Sequence, residues 1–133
     1  GTEEQKSRWL PGLAAGDPIG AYALTEEGAG SDAAAIATTA RETKGGWVLD
    51  GEKIWITNAH VADKMMLLAR TTALDQVKRK TDGLSLFFTD LDRSKIEHRL
   101  IPKMGRHAVG SNMLFINDLL IPEEDRIGAE GDG

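Results

Sequence analysis

Apolar and polar residues alternate over short stretches along most of this 133-residue chain, and polar turns separate the stretches. A period of two, which puts successive side chains on opposite faces of a sheet, predicts a strand over residues 19–26. Residues 65–69 are apolar without interruption, which is typical of a strand covered on both faces. Further strands are predicted over residues 83–90, 96–101 and 111–120.

A β-meander is the clearest local signal in the chain. Residues 37–42 alternate, residues 43–46 predict a glycine-containing turn, and residues 47–49 predict a strand. Asp50-Gly51 then predicts a two-residue hairpin turn of type I′, with residues 52–57 as the returning strand.

The first residues follow a helical pattern instead. Trp9, Leu10 and Leu13 form a small apolar group among charged residues of the predicted helix 2–13, and Pro11-Gly12 is expected to end it. About seven strands with short turns and no long helical pattern indicate the fold class. We predict an all-β protein, a roughly seven-stranded antiparallel sandwich or barrel with a short N-terminal helix remnant.

Composition and charge narrow the class of protein. A chain of 133 residues can bury a core as a single domain. The net charge is −5 and the basic residues are scattered, apart from Lys78-Arg79-Lys80, so no basic stripe could follow a nucleic-acid backbone. Cysteine is absent, which excludes disulfides and thiolate metal sites, and no apolar run has the length of a membrane span. We expect no nucleic-acid partner and no membrane span, and a reducing cytoplasm suits this composition.

The first candidate site is the glycine-rich stretch Thr-Glu-Glu-Gly-Ala-Gly-Ser at residues 25–31. Gly28 and Gly30 can take positive φ, and their bare amides can converge on an anion or let a flat ligand lie against the backbone. Thr25 and Ser31 add hydroxyl groups that donate and accept hydrogen bonds. A solvent-exposed turn is the alternative interpretation. The stretch also fits the dinucleotide-binding fingerprint loosely, but the threonine-rich segment after it is too short for the crossover helix that fingerprint needs.

The second candidate site is Trp55-Ile56-Thr57, at the end of a predicted strand. An indole can cover one face of a planar cofactor while a hydroxyl two residues later, on the same side of the strand, bonds the edge of that cofactor. Packing of Trp55 in the core is the alternative. Neither a metal site nor a nucleophile is predicted, because the three histidines lie far apart and Ser31 lacks a G-x-S-x-G turn.

Taken together and in this order, these motifs resemble the middle domain of the acyl-CoA dehydrogenase family. The matching blocks are Glu4-Gln5-Lys6 with Trp9-Leu10-Pro11, Tyr22 to Asp32, Asp50 to Asn58, and Lys103-Met104-Gly105 leading through Leu114 to Asp118, Ile121-Pro122 and Gly128.

This resemblance implies a flavoenzyme in which FAD lies among a helical N-terminal domain, this β-domain and a helical C-terminal domain. A carboxylate removes the α-proton of an acyl-CoA thioester while hydride leaves the β-carbon for the flavin, which yields a trans-2-enoyl-CoA. Residues 1–16 would be the tail of the first domain, residues 17–128 the FAD-binding β-domain, and residues 129–133 the start of a linker to the third.

The family motifs also imply roles for particular residues. Tyr22, Leu24 and Thr25 would lie along the isoalloxazine and its pyrimidine edge, and Trp55 would cover the flavin face away from the substrate. The FAD site would be completed by Gly30, Ser31, Ile56 and Thr57. Ser31 would also lie on the substrate side. Backbone amides and hydroxyls aimed at that edge would stabilise the negative charge of a reduced flavin.

No carboxylate of this chain matches the catalytic base of the family, so we predict no catalytic residue here and no activity for the chain alone. An electron-transfer flavoprotein or similar acceptor and a homodimeric or homotetrameric parent are implied, in the bacterial cytoplasm or the mitochondrial matrix. Two alternatives stay open at this point. One is the middle domain of an acyl-CoA oxidase or related flavin monooxygenase, and the other is a non-catalytic β-domain used in assembly.

Overall fold

The computed structural model describes residues 1–133 and contains one α-helix, α1 (Glu3–Ala15), and eight β-strands. The strands are β1 (Gly20–Ala23), β2 (Thr39–Thr43), β3 (Gly46–Thr57), β4 (Lys64–Arg70), β5 (Leu84–Asp90), β6 (Ile96–Leu100), β7 (Ser111–Pro122) and β8 (Arg126–Ile127). Short 3₁₀ helices occur at Ala33–Ala35, Leu74–Gln76 and Glu123–Asp125. None of the helices has the length and apolar character needed to cross a lipid bilayer.

All eight strands belong to one mixed sheet. The strand order is β6-β7-β3-β2-β4-β5-β8, and β1 pairs with β4 off this path. Most neighbouring strands are antiparallel, but β1 runs parallel to β4, with Tyr22 opposite Met66. The predicted all-β fold with a short N-terminal helix is confirmed, and the parallel β1–β4 pair and β8 are additions that strand periodicity does not predict.

The sheet folds over on itself around a single apolar core. Trp47 on β3 and Phe87 on β5 are separated in the sheet by β2 and β4, yet their ring centroids lie 5.8 Å apart in an edge-to-face arrangement. Eighteen buried apolar residues from β1 to β7 and their connections form this core. The sheet therefore has an inner, apolar face and an outer face from which the loops project.

The predicted hairpin at Asp50-Gly51 is wrong. β3 continues through both residues, and Leu49 and Gly51 pair with Leu119 and Ile116 of the equally long β7. Two β7 residues oppose one β3 residue at this point, which is a β-bulge on β7. Asp50 supports the bulge because its Oδ1 accepts a hydrogen bond from the backbone N–H of Asp118 at 2.8 Å.

The predicted end of the helix at Pro11-Gly12 is also wrong, because α1 continues to Ala15 with Pro11 inside it. The helix ends at Gly16, whose φ of 80° suits the left-handed conformation of a C-terminal cap. α1 packs on the outer face of the sheet, where the Trp9 and Phe88 rings meet edge to face at 4.9 Å. Gln5 adds side-chain hydrogen bonds to the carbonyls of Glu124 (2.9 Å) and Arg126 (2.8 Å).

Candidate functional site

The glycine-rich stretch forms a compact, exposed loop directly after β1. Glu26 and Ala29 exchange backbone hydrogen bonds of 3.1 Å in both directions, which closes the turn. Gly28 and Gly30 do not adopt the positive φ that glycine permits, since neither lies among the left-handed glycines. A Cβ added at either glycine would meet no atom within 4 Å. Nothing inside this chain therefore requires glycine there, and the space above the loop is open to a ligand.

A buried ion pair lies beneath this loop. Lys53 Nζ donates to Glu26 Oε1 at 2.7 Å, to the Leu24 carbonyl at 3.2 Å and to the Leu68 carbonyl at 2.8 Å. Lys53 is fully buried, and these three bonds use all the donors of its ammonium group. The loop is thus attached to both β3 and β4 through one side chain.

Glu26 completes the same network from the other side. Its carboxylate accepts from the Ala37 amide at 2.7 Å, and from the Thr38 amide and hydroxyl at 3.1 and 2.6 Å. Burial acts to raise the pKa of Glu26, but the bonds from Lys53, Thr38 and Ala37 outweigh it and hold that pKa below its usual value. Burial lowers the pKa of Lys53, and the adjacent Glu26 carboxylate partly offsets this effect.

Arg70 anchors the far end of the glycine-rich loop. Its buried guanidinium donates to the carbonyl of Ala34 (2.9 Å), inside the Ala33–Ala35 3₁₀ helix, and to that of Ile36 (3.2 Å), directly after it. It also donates to the carbonyls of Lys80 and Asp82 in the loop between β4 and β5. Arg70 therefore holds the segment after Ser31 in place and makes no bond to the exposed hydroxyl of Ser31.

Trp55 projects outward from a second bulge in β3. Lys53 pairs with Leu114 and Ile56 with Asn112, so two β3 residues oppose one residue of β7. The backbone of Trp55 has a φ of 62°, an uncommon and strained conformation for a bulky side chain, and its indole is 56% exposed. The alternative of Trp55 as a core residue is excluded, since Trp9 and Trp47 are the buried tryptophans.

The bulge determines which neighbours of Trp55 face outward. Ile56 is buried in the core and its carbonyl accepts from Asn112 Nδ2 at 3.0 Å, so its side chain is unavailable to a ligand. Thr57 is exposed on the outer side with Trp55. Asn58, also at positive φ, exchanges hydrogen bonds of 2.8 and 3.0 Å with Gly110, which fixes the end of the strand.

The structure brings the two predicted stretches together. The backbone N–H of Ile54 donates to the Thr25 carbonyl at 2.8 Å, so the end of β1 and the bulge of β3 are adjacent. Tyr22 is exposed on β1, while Leu24 is half-buried against a small cluster of Ala29, Ile36 and Leu84. Gly30 and Ser31 are exposed farther along the loop. The result is a surface that offers two aromatic rings, hydroxyls and free loop backbone.

Lys53, Glu26 and Arg70 are residues that the sequence reasoning missed. The sequence does carry one signal for Lys53: it falls on the inward side of β3 with Trp47 and Leu49, where a charged side chain needs a buried partner. The structure places Glu26 inward and leaves Glu27 exposed. Periodicity gives the direction of these side chains but does not identify their partners.

The chemistry of this surface suits a flat, polar-edged ligand. An exposed aromatic plane beside hydroxyls and loop amides can hold a flat ligand and bond its polar edge. The charged groups beneath it are already satisfied, since Glu26 accepts four hydrogen bonds and Lys53 donates three. No side chain of the surface is paired with a base as a nucleophile requires.

Comparisons with known proteins agree with this arrangement. The family model described as acyl-CoA dehydrogenase, middle domain, matches residues 21–119. The short-chain specific acyl-CoA dehydrogenase of Clostridium acetobutylicum is 41% identical over 138 residues, which cover all of this chain and 34% of that protein. The solved acyl-CoA dehydrogenase of Geobacillus kaustophilus is 39% identical with a TM-score of 0.92, over all of this chain and 35% of that one.

A third relative was solved with a cofactor. The structure described as the FAD complex of PigA is 35% identical with a TM-score of 0.89. The comparison covers all of this chain and 34% of the PigA chain. The chain thus spans about a third of the length of the relatives it matches. The match over residues 21–119 and the shared fold show that the chain belongs to the acyl-CoA dehydrogenase family, as its middle domain.

Proposed function

We propose that the chain is the FAD-binding middle domain of an acyl-CoA dehydrogenase, which converts an acyl-CoA thioester to a trans-2-enoyl-CoA. Its family membership supports this function, and so do relatives named as acyl-CoA dehydrogenases and a solved FAD complex. FAD supplies a hydride acceptor when it is bound. The role of this chain is to hold and orient the FAD.

The strained, outward Trp55 is the single observation that carries the proposal. A bulky residue at a φ of 62° with an exposed ring gives no packing in return for its strain, which points to a use outside the fold. Thr57 lies on the same side, and Thr25 is connected to the bulge through Ile54. Trp55 would cover one flavin face, while Thr25 and Thr57 would bond its polar edges.

The residues around the glycine-rich loop fit the remaining parts of the cofactor. Tyr22 and Leu24, at the end of β1, would lie along the flavin ring. Gly30 and Ser31 would meet the pyrophosphate, where the space that a Cβ would fill is open, and Ser31 would also face the substrate. Ile56 would contribute only its backbone, because its side chain is buried.

The parent protein would add the parts that this chain lacks. Residues 1–16 would be the tail of a helical domain, residues 17–128 the FAD-binding domain, and residues 129–133 the start of a linker to a second helical domain that carries the base. We propose a homodimeric or homotetrameric parent that passes electrons to an electron-transfer flavoprotein or similar acceptor. Its location would be the cytoplasm of a bacterium or the mitochondrial matrix.

The decisive experiment uses the visible spectrum of the full-length protein. We expect a flavin spectrum that bleaches without oxygen when one member of a panel of acyl-CoA thioesters is added. Trp55→Ala should weaken FAD binding by about tenfold, the loss of a stacked aromatic contact with its burial. Leu120→Ala is the matched control, because Leu120 is 66% exposed and lies opposite Val48 at the other end of β3.

Two results would contradict the proposal. A protein that binds flavin but is bleached by no thioester would favour a flavin monooxygenase. A colourless protein that takes up no FAD would favour a β-domain used only in assembly.

A further inference from the structure

The Lys53–Glu26 pair is the most completely bonded polar unit under the candidate site. Each ammonium proton of Lys53 has an acceptor, and the two Glu26 oxygens together accept four bonds. Both residues are buried. None of the roles argued above for the surface uses either side chain.

Stability alone does not account for this pair. Removing two charges from water is costly, and replacing a buried ion pair by apolar residues of similar size is often neutral or stabilising. An apolar pair could fill the same volume, but it could not bond the carbonyls of Leu24 and Leu68 or the amides of Ala37 and Thr38. What the ion pair provides, and an apolar pair cannot, is a fixed arrangement of four chain segments.

Two of those segments, the start of the glycine-rich loop and the β3 bulge, carry the residues proposed to face the ligand. Lys53 lies two residues before Trp55, at the start of the β3 bulge, and bonds the carbonyl of the residue before Thr25. Thr25 in turn accepts from Ile54, inside the same bulge. Glu26 is the first residue of the glycine turn and is bonded on the far side to Thr38. A shift of Lys53 would therefore move Thr25 and Trp55 relative to each other.

We propose that Lys53 and Glu26 are positioning residues that hold Thr25 and Trp55 at a fixed separation, so that a planar cofactor meets a preformed site. Neither residue touches the ligand. The ligand part of this inference rests on the proposed function, whereas the ordering of the loop by the pair does not.

The test compares Glu26→Gln/Lys53→Met, which removes both charges at nearly constant volume, with the unaltered full-length protein. Amide hydrogen exchange is measured on peptides covering residues 22–31 and 54–58, and on comparison peptides from β5 and β7. We expect exchange about tenfold faster in the first two regions and little changed in the comparison strands. The FAD dissociation constant should rise by about tenfold.

Lys64→Met is the matched control. Lys64 lies on β4 and pairs with Asp90, whose side chain is 77% exposed, so the same substitution there removes a surface ion pair. Exchange in residues 22–31 and FAD affinity should both stay as in the unaltered protein. If the double variant shows no cooperative unfolding, Glu26→Gln alone, which keeps the size of the side chain, is measured in the same way.

The results separate the positioning role from a purely structural one. Unchanged exchange in residues 22–31, or a uniform increase along every strand that follows a loss of global stability, would overturn the proposal. Unchanged FAD affinity alongside faster exchange would overturn its ligand part. A full-length protein that never takes up FAD contradicts the proposed function instead, and the exchange data still decide whether the pair orders the loop.

Discussion

At the scale of single residues, Trp55 is a position where a strained backbone accompanies an exposed side chain. Trp55 combines a left-handed backbone with an indole that makes little contact with its own fold. Its neighbour Ile56 does the opposite, with a side chain 2% exposed in the core. Adjacent positions of one strand thus divide between exposure to solvent and packing in the core.

Trp55→Gly should therefore change the unfolding free energy by less than about 1 kcal/mol, because relief of the left-handed strain offsets the greater freedom of glycine in the unfolded chain. Ile56→Ala should cost about 2–5 kcal/mol, as buried isoleucines do. Urea denaturation measures both. A loss of several kcal/mol in Trp55→Gly would show that the indole packs within the fold.

Glu26 should govern part of the acid sensitivity of the fold. Its folded-state pKa lies below the ordinary 4.5, so the stability it contributes is fully present above about pH 4.5 and is lost as pH falls through the lowered pKa. Glu26→Gln should flatten the dependence of the unfolding free energy on pH in that range.

Asp125 offers a contrast with the opposite sign. Burial raises its pKa, although Thr89 and Arg8 partly oppose this, so its protonation on acidification favours the folded state. Asp125→Asn should therefore steepen the acid loss that Glu26→Gln flattens. Parallel pH profiles in the two variants would contradict the assignment of either carboxylate.

Among the elements, α1 is held by one well-buried contact and several exposed ones. Trp9 is 8% exposed against Phe88, whereas Leu10 on the same helix is 55% exposed. Arg8 and Asp125 add an ion pair of 3.4 Å that is exposed on the arginine side. Packing rather than charge should therefore decide whether α1 stays on the sheet.

Trp9→Ala should lower the unfolding free energy by about 3–5 kcal/mol, since it removes a large buried aromatic group. Leu10→Ala should change it by less than about 0.5 kcal/mol, because that side chain is mostly in solvent. Chemical denaturation followed by far-ultraviolet circular dichroism provides the values. Equal effects of the two substitutions would contradict the assignment of Trp9 as the contact that holds α1 on the sheet.

Most strands can be predicted from the sequence, because burial on one face of a sheet leaves an apolar residue at every second position. The strands β2 and β4 to β7 lie where alternation or an apolar run predicts them. The hairpin failed because Asp50-Gly51 is compatible with a turn and with an extended strand opposite a bulge. What selected the strand is long-range: Asp118, 68 residues away, donates its amide to Asp50. Local turn preference carries no information about such a partner.

The candidate site likewise contains residues that the sequence predicts and residues that only the tertiary structure identifies. Trp55, Thr25 and Ser31 could be proposed from residue types and spacing, since exposed hydroxyls and aromatics beside glycines are unusual as packing elements. The Lys53–Glu26 bond joins residues 27 positions apart, one on β3 and one in the loop after β1, and it follows from the tertiary arrangement alone. The bulge that turns Trp55 outward likewise requires the register of β7 against β3.

At the scale of the whole molecule, the chain offers a candidate binding surface but no carboxylate that matches the catalytic base of the family. Glu26 is saturated with hydrogen bonds and Asp32 pairs with Lys80 at 3.4 Å. We predict that the 133-residue chain alone gives no turnover of any acyl-CoA thioester with an artificial electron acceptor. The full-length protein is the positive control, and measurable turnover by the short chain would contradict the prediction.

The contact of α1 with the segment around β8 has a consequence for the connectivity of the fold. Gln5 bonds the carbonyls of Glu124 and Arg126, and Gly133 N–H bonds Leu84 at 2.8 Å, so both ends of the chain lie beside β5. Because the two ends are close, the order of the strands along the chain can be changed without changing their arrangement in the sheet. A circular permutant, joined through a flexible linker between residues 133 and 1 and reopened in the exposed stretch 73–76, should fold to the same sheet.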